Sequence, residues 1–170
     1  MNPLKKGVST FKMADGEKFY LTKEGLKKIK KEYELLKKLK MAKAKEEVPR
    51  ILHSEDVNPE YLSFIEDFSA LETKIAELEH ILKNFKLIKP PPKKQKHLVN
   101  LGATVLVEIN GKEEELTIVG KLEANPALGK ISNESPVGRA LLGKKVGDEV
   151  KIPNLSKPIY KIKKIKYQIS

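Results

Sequence analysis

The stretch that decides the fold spans residues 58–85 and reads NPEYLSFIEDFSALETKIAELEHILKNF. Asn58 is a preferred N-cap residue, Pro59 suits the first helical position, and Glu60 adds negative charge to the positive first turn. Apolar residues then recur at alternating steps of three and four, which is the a/d pattern of a coiled-coil seam. The seam residues are Tyr61, Phe64, Phe68, Leu71, Ile75, Leu78, Leu82 and Phe85. The pattern predicts a long helix that packs lengthwise against another helix, while an ordinary core helix is the simpler alternative.

A partner helix is predicted immediately upstream. Thr22 suits its N-cap, and the helix should run to about Val48, where Pro49 must end or kink it. Its apolar residues, again at steps of three and four, are Leu26, Ile29, Tyr33 and Leu36. A connection of only about nine residues makes two helices antiparallel neighbours. We therefore expect an antiparallel coiled-coil hairpin over residues 19–89, projecting roughly 45 Å to a tip at residues 53–58.

A second domain is predicted at residues 98–170, after a linker at residues 90–97 whose three prolines exclude helix and strand interior. Apolar alternation predicts strands in GATVLVEI, ELTIVG, VGDEVKIP and PIYKIKKIKYQI, and Asn110-Gly111 predicts a hairpin turn between the first two. Ser135 suits the cap of a short helix before the third. The fold class is thus α+β, an N-terminal antiparallel α-helical hairpin followed by a small antiparallel-sheet domain.

The composition excludes several classes of function. The chain has no Cys, which excludes disulfide scaffolds, Cys-ligated zinc, Fe–S clusters and thiol catalysis. Its three His, His53, His80 and His97, are too scattered to suggest a metal site. No apolar run approaches the roughly 18 residues of a membrane span, and residues 1–18 read as a flexible tail without the apolar core of a signal peptide. We expect a cytoplasmic protein with no membrane partner.

The net charge of +11 is unevenly distributed. Residues 22–53 carry 11 Lys and Arg against 5 Asp and Glu, whereas residues 54–89 carry 4 against 8. The two helices can neutralise each other in part, and the surplus of basic charge favours a polyanionic partner such as nucleic acid or an enzyme that handles it. The alternative is a solvated lysine-rich surface that only keeps the protein in solution.

The segment GRALLGKK at residues 138–145 nearly matches a phosphate-binding loop. Lys145 replaces the hydroxyl residue that would hold Mg²⁺, and no strand is predicted to lead into Gly138. We therefore give nucleotide hydrolysis very little weight.

The acidic pair Glu55-Asp56 lies at the predicted tip. Adjacent carboxylates suit Mg²⁺, which takes one or two protein carboxylates and keeps its other positions for water and phosphate oxygens. Acids beside a helix start also favour the helix dipole, and for Glu60 that is the better explanation. For Glu55 and Asp56 both interpretations remain open from the residues alone.

Five stretches of the sequence carry a family resemblance: YLTKEGLKKIKKE at residues 20–32, NPEY at 58–61, GATVLVE at 102–108, ELTIVG at 115–120 and SNESPVGRALLGKKVGDEV at 132–150. Through these stretches the chain resembles the bacterial Gre transcript-cleavage factors, GreA and GreB, over residues 19–167. The resemblance implies an FKBP-like C-terminal domain that docks at the rim of the secondary channel of RNA polymerase, while the coiled coil enters the channel.

The resemblance also implies roles for individual residues. Glu55 and Asp56 would help to hold Mg²⁺ in the polymerase active site, so that the polymerase hydrolyses the 3′ end of backtracked RNA. The chain would then have no cofactor and no enzymatic activity of its own. Independently of the resemblance, an intramolecular coil makes a monomer the expected state. Basic residues of the first helix would attract that RNA and the channel: Lys27, Lys30, Lys31, Lys38 and Lys45. The C-terminal motif residues, with a docking or a structural role, are Ser135, Pro136, Gly138, Gly143, Gly147 and Asp148.

The tip departs from the family pattern G-D-L-x-E-N-x-E-Y. A gap-free alignment on Asn58 puts Ser54 under the family's Asp and Val57 under its Glu, and Glu55-Asp56 fills the two positions between them. The alternative within the family is therefore a non-cleaving regulator that occupies the channel. A more distant alternative is an FKBP-like chaperone or prolyl isomerase, which would need an aromatic-lined apolar pocket.

Overall fold

The computed structural model describes residues 18–45, 58–152 and 159–167. In chain order its elements are β1 (Phe19–Leu21), α1 (Lys23–Lys43), α2 (Pro59–Asn84), β2 (Phe85–Leu87), β3 (Ala103–Ile109), β4 (Lys112–Val119), β5 (Lys130–Ser132), α3 (Pro136–Leu141), β6 (Glu149–Lys151) and β7 (Ile159–Tyr167). Short 3-10 turns lie at Lys93–Gln95, Lys121–Glu123 and Pro126–Leu128. A hairpin of two long helices thus precedes a small sheet domain, as predicted. Within the described ranges, no helix is both long and apolar enough to cross a membrane.

The two long helices are antiparallel. The Tyr33 hydroxyl donates a 2.8 Å hydrogen bond to the Glu79 carboxylate, whereas Lys43, further along α1, pairs with the earlier Asp67 at 2.6 Å. The residue numbers of the contacts therefore decrease along α2 as they increase along α1, which is the antiparallel arrangement. The hydrogen bond to Glu79 also raises the pKa of the Tyr33 phenol above its ordinary value.

The seam between the helices changes character along its length. Near the sheet domain it is aliphatic, and Leu78 is only 3% exposed. Toward the far end, Lys40 and Lys43 continue the α1 stripe, and their ammonium groups lie 5.5 and 5.4 Å from the ring centroids of Phe68 and Phe64. Each ammonium group therefore lies over an aromatic ring of α2 and also pairs with a carboxylate of the same helix.

The first helix ends at Lys43, before the predicted end near Val48. Its last turn tightens, because the Lys45 N–H donates to the carbonyl of Ala42, three residues back, at 3.0 Å. Residues 46–57, which hold the proline and most of the predicted tip, lie outside the described residues.

A short parallel pair of strands closes the base of the hairpin. Phe85 was predicted as the last seam residue, and this is wrong, because the chain leaves the helix after Asn84 and Phe85 begins β2. Strand β2 pairs in parallel with β1, with Leu87 beside Leu21. The Ile88 N–H extends the pairing with a 2.7 Å bond to the Leu21 carbonyl.

The sheet of the C-terminal domain has the order β5-β4-β3-β7-β6. Neighbouring strands are antiparallel except for β4 and β5, which are parallel, so the predicted antiparallel sheet is in fact mixed. The difference arises after β4, where the chain passes through two 3-10 turns, so that β5 runs in the same direction as β4. Asn110 and Gly111 join β3 to β4 with φ of 52° and 77°, the left-handed values that a two-residue type I′ turn requires.

The core of this domain lies on one face of the sheet and is closed by α3. Its fully buried side chains are Val99, Ala103, Val105, Val107, Ile118, Leu141 and Ile162. The opposite face is charged: Lys163 on β7 pairs with Glu108 on β3 at 2.5 Å, and this hydrogen bond lowers the pKa of the Glu108 carboxyl.

Candidate functional site

The predicted lysines form one exposed face of α1 and of the turn that follows it. Lys27, Lys31 and Lys38 follow one another at steps of four and seven, which keeps them on the same side of the helix, and Lys45 is exposed in the turn after Lys43. That side points away from α2, because the seam residues occupy the opposite side. Lys30 is exposed as well and flanks the stripe. We call these five residues the lysine face.

The lysines of α1 divide into two groups by their partners. Lys40 and Lys43, on the seam side, pair with Glu72 and Asp67 of α2 at 2.8 and 2.6 Å. Within the described ranges, no ion pair or hydrogen bond engages an ammonium group of the lysine face. The acidic charge of α2 therefore neutralises the seam side and leaves the outward side of α1 available to an anionic partner.

The acidic pair Glu55-Asp56 lies outside the described residues. The structure resumes at Asn58, whose side chain accepts a 3.0 Å hydrogen bond from the Glu60 N–H and so caps α2, as predicted. Glu60 is exposed in the first turn, which agrees with a helix-start role. Among the described residues, no cluster of three His, Asp or Glu side chains is arranged to hold a metal ion.

The first part of the C-terminal motif builds α3. The Ser135 hydroxyl accepts from the Gly138 N–H at 3.0 Å and donates to the Ser132 carbonyl at 2.7 Å, and Pro136 occupies the first helical turn. Gly138 is buried, and a Cβ placed on it would lie 2.0 Å from the Ser132 carbonyl oxygen. These contacts account for the serine, the proline and the glycine through the packing of α3 on β5.

The second part of the motif shapes two turns. Gly143 and Gly147 have φ of 77° and 93°, and their N–H groups donate to the carbonyls of Val99 and Ile162 at 2.7 and 2.8 Å. The Asp148 carboxylate accepts from the Lys145 N–H at 3.0 Å. The segment that nearly matches a phosphate-binding loop therefore forms α3 and a turn, and the backbone of this turn is hydrogen-bonded within the sheet domain.

A cleft of about 590 Å³ lies between the base of the hairpin and the uncovered face of the sheet. Thr104 and Thr117 line it, and Tyr167 is the one aromatic residue among the described residues of its lining. The Tyr167 hydroxyl donates to the Leu98 carbonyl and accepts from the Asn100 N–H, so its polar group is already engaged. The described lining of this cleft therefore lacks the several aromatic residues that a prolyl-isomerase pocket would need.

Sequence reasoning missed a contact that joins the two domains. Glu123, in the sheet domain, accepts hydrogen bonds from Thr22, the residue that caps α1. The available signal was Gly25 in the first turn of a strongly helical stretch, where a glycine costs about 1 kcal/mol relative to alanine and needs a reason. A Cβ on Gly25 would lie 2.2 Å from the Glu123 carboxyl carbon.

Comparisons with known proteins match both parts of the chain. A family model described as the N-terminal domain of transcription elongation factors matches residues 19–87, and one described as "Transcription elongation factor, GreA/GreB, C-term" matches residues 94–167. Together they cover the hairpin and the sheet domain in order.

Several individual proteins are also similar to this chain. A protein named transcription elongation factor GreA from Thermomicrobium roseum is 40% identical over 138 residues, which are 80% of this chain and 88% of that protein. The GreA of Thermoanaerobacter pseudethanolicus is 45% identical over 136 residues, 78% of this chain and 86% of that protein. Among solved structures, GreA factor homolog 1 of Thermus thermophilus aligns over 88% of this chain and 99% of its own, with 24% identity and a TM-score of 0.38.

Proposed function

Because this chain belongs to the GreA/GreB family of transcription elongation factors, we propose that it binds RNA polymerase and stimulates cleavage of backtracked RNA. The sheet domain docks at the rim of the secondary channel and the hairpin enters it. The chain acts as a monomer and supplies groups to the polymerase, which performs the hydrolysis. The match of both family models, in the order hairpin then sheet domain, carries this proposal.

The shape of the hairpin supports an insertion role. Helix α1 has 21 residues and is therefore about 31 Å long at 1.5 Å per residue. It contacts α2 along this length through Tyr33, Lys40 and Lys43, and its N-cap residue Thr22 contacts Glu123 of the sheet domain. A rod fixed at one end presents its far end to a narrow site.

The acidic pair supports a cleavage role through its chemistry. Carboxylate oxygens are the ligands that Mg²⁺ prefers, so Glu55 and Asp56 suit a shared position beside the metal of the polymerase active site. Such an ion supplies an activated water and stabilises charge on the phosphate. The chain's own part is to bring two negative side chains to that site and to hold the RNA near it.

The lysine face is expected to contact the RNA or channel phosphates. Replacing four of its residues by Gln, at Lys27, Lys31, Lys38 and Lys45, should flatten the salt dependence of RNA crosslinking in a backtracked complex. If each lysine meets one phosphate, the slope of log affinity against log salt falls by up to about 3. The matched control carries the same charge change at exposed lysines near the base, Lys83, Lys86, Lys89 and Lys93. An unchanged slope in the first variant would remove this role.

The direct test is RNA release from a stalled, backtracked polymerase complex with Mg²⁺ and the full chain. We expect short RNA fragments carrying the original 3′ end and recovery of elongation. Polymerase that binds the chain, releases no RNA and elongates more slowly would contradict the cleavage function.

That contrary outcome defines the second candidate, a non-cleaving regulator that occupies the channel. The observation that favours it is the composition of the tip, where Ser54 and Val57 stand at the two positions at which the family pattern has acids. The same assay separates the two functions, because the regulator slows nucleotide addition without releasing RNA. Turnover of a proline peptide by the chain would instead support the distant isomerase alternative.

A further inference from the structure

One carboxylate of the sheet domain binds the base of the hairpin directly. Glu123 ends the 3-10 turn that follows β4, and its two oxygens accept from the Thr22 N–H at 2.7 Å and the Thr22 hydroxyl at 2.5 Å. The Thr22 hydroxyl in turn accepts from the Gly25 N–H at 3.0 Å. The cap of α1 is therefore continued by a residue 101 positions away, in the other domain.

Close backbone contacts surround this carboxylate. The absence of a side chain at Gly25 leaves the space that the Glu123 carboxyl fills. On the other side of Thr22, a Cβ on Gly120 would lie 1.8 Å from the Tyr20 carbonyl oxygen, so β1 rests directly on the backbone that leads into the Glu123 turn. Both approaches require glycine, and both restrict how the first turn of α1 can move against the sheet domain.

Further interactions act at the same place. The Lys121 ammonium lies 5.2 Å from the ring centroid of Phe19, and Leu21 of β1 is fully buried. The negative charge of Glu123 also lies at the positive end of the α1 dipole. The contact is therefore oriented by charge, hydrogen bonds and shape together.

We propose that Glu123 is a positioning residue that fixes the direction in which the hairpin leaves the sheet domain. The functional effect of this positioning rests on the proposed function, because there the sheet domain docks on the polymerase and the far end of the hairpin must reach a defined site. A rotation of about 10° at the first turn moves the far end of a 21-residue helix by about 5 Å. That displacement exceeds what a hydrogen-bond or metal contact at the tip tolerates.

The inference can be tested on the free, full-length chain. The chain has no Cys, so Met41→Cys on α1 and Lys151→Cys on β6, both exposed, take one spin label each. We expect a narrow distribution of inter-label distances with Glu123 present, broadening about twofold or more in Glu123→Ala, because small interdomain contacts do not by themselves hold an orientation. Glu123→Gln keeps one acceptor oxygen, so its distribution of inter-label distances should be narrower than that of Glu123→Ala and broader than that of the parent.

Two controls make the result decisive. Glu115→Ala removes an exposed acid from the same domain and should leave the distribution unchanged. Thr22→Val removes the partner hydroxyl from the hairpin side and should broaden it, which keeps the test valid if Glu123→Ala unfolds the sheet domain. Distributions of Glu123→Ala and Thr22→Val that overlay the parent would overturn the inference. Because the readout needs no polymerase, it stands whether or not the parent chain cleaves RNA.

Discussion

Replacing Glu55 and Asp56 together by alanine is expected to reduce stimulated RNA cleavage by about 10- to 100-fold, the usual loss when groups that support a metal site are removed. Binding to polymerase should persist, because the docking domain and the lysine face are untouched. The rate of RNA release from a backtracked complex, measured at a saturating concentration of the chain, reports the first effect. Competition with the labelled parent chain for polymerase reports the second.

The chain offers a matched control for this double change. Glu66 and Asp67 form another adjacent Glu-Asp pair, on the exposed part of α2, and only Asp67 has an ion-pair partner, Lys43, within the described ranges. Exposed ion pairs contribute little, so Glu66→Ala with Asp67→Ala should leave cleavage close to the parent rate. Equal cleavage by the tip variant and the control variant would show that the acids of the tip take no part.

Local rules explain how much of the fold could be predicted. The seam of α2 as far as Leu82, the cap at Asn58 and the turn at Asn110-Gly111 each depend on residues within one or two turns of each other, and the structure confirms these three features. The lysine face follows from helical steps in the same way. Ser135 likewise caps α3 as its sequence context indicates.

The features that could not be predicted depend on contacts between distant parts of the chain. Strands β1 and β2 have only three residues each, too few for a pattern of alternation, and Phe85 fits both a seam and a strand. The parallel pairing of β5 and the bond between Glu123 and Thr22 are set by tertiary packing. The pairing of Lys40 and Lys43, which distinguishes them from the lysine face, could not be predicted either, because their partners lie on the other helix.

Substituting Gly138 by alanine is expected to destabilise the sheet domain by about 3 kcal/mol, the upper part of the range for overpacking a buried site. A Cβ at this position would lie 2.0 Å from the Ser132 carbonyl oxygen and 3.2 Å from the Asn133 Cα. Both atoms belong to the backbone, so the clash cannot be relieved by a rotamer change. Either α3 must move off β5, which uncovers the fully buried Leu141, or β5 must distort.

Gly143→Ala provides the comparison, because it has a φ of 77° but open space around its Cβ. Only the left-handed backbone is penalised there, at about 1 kcal/mol. Urea unfolding followed by the amide NMR signals of β3 and β7 measures both variants on the sheet domain itself, without the signal of the long helices. If Gly138→Ala is no less stable than Gly143→Ala yet binds polymerase more weakly, Gly138 is a docking residue. A stability loss about three times larger at Gly138 assigns it to the packing of α3, and any loss of polymerase binding then follows from the damaged fold.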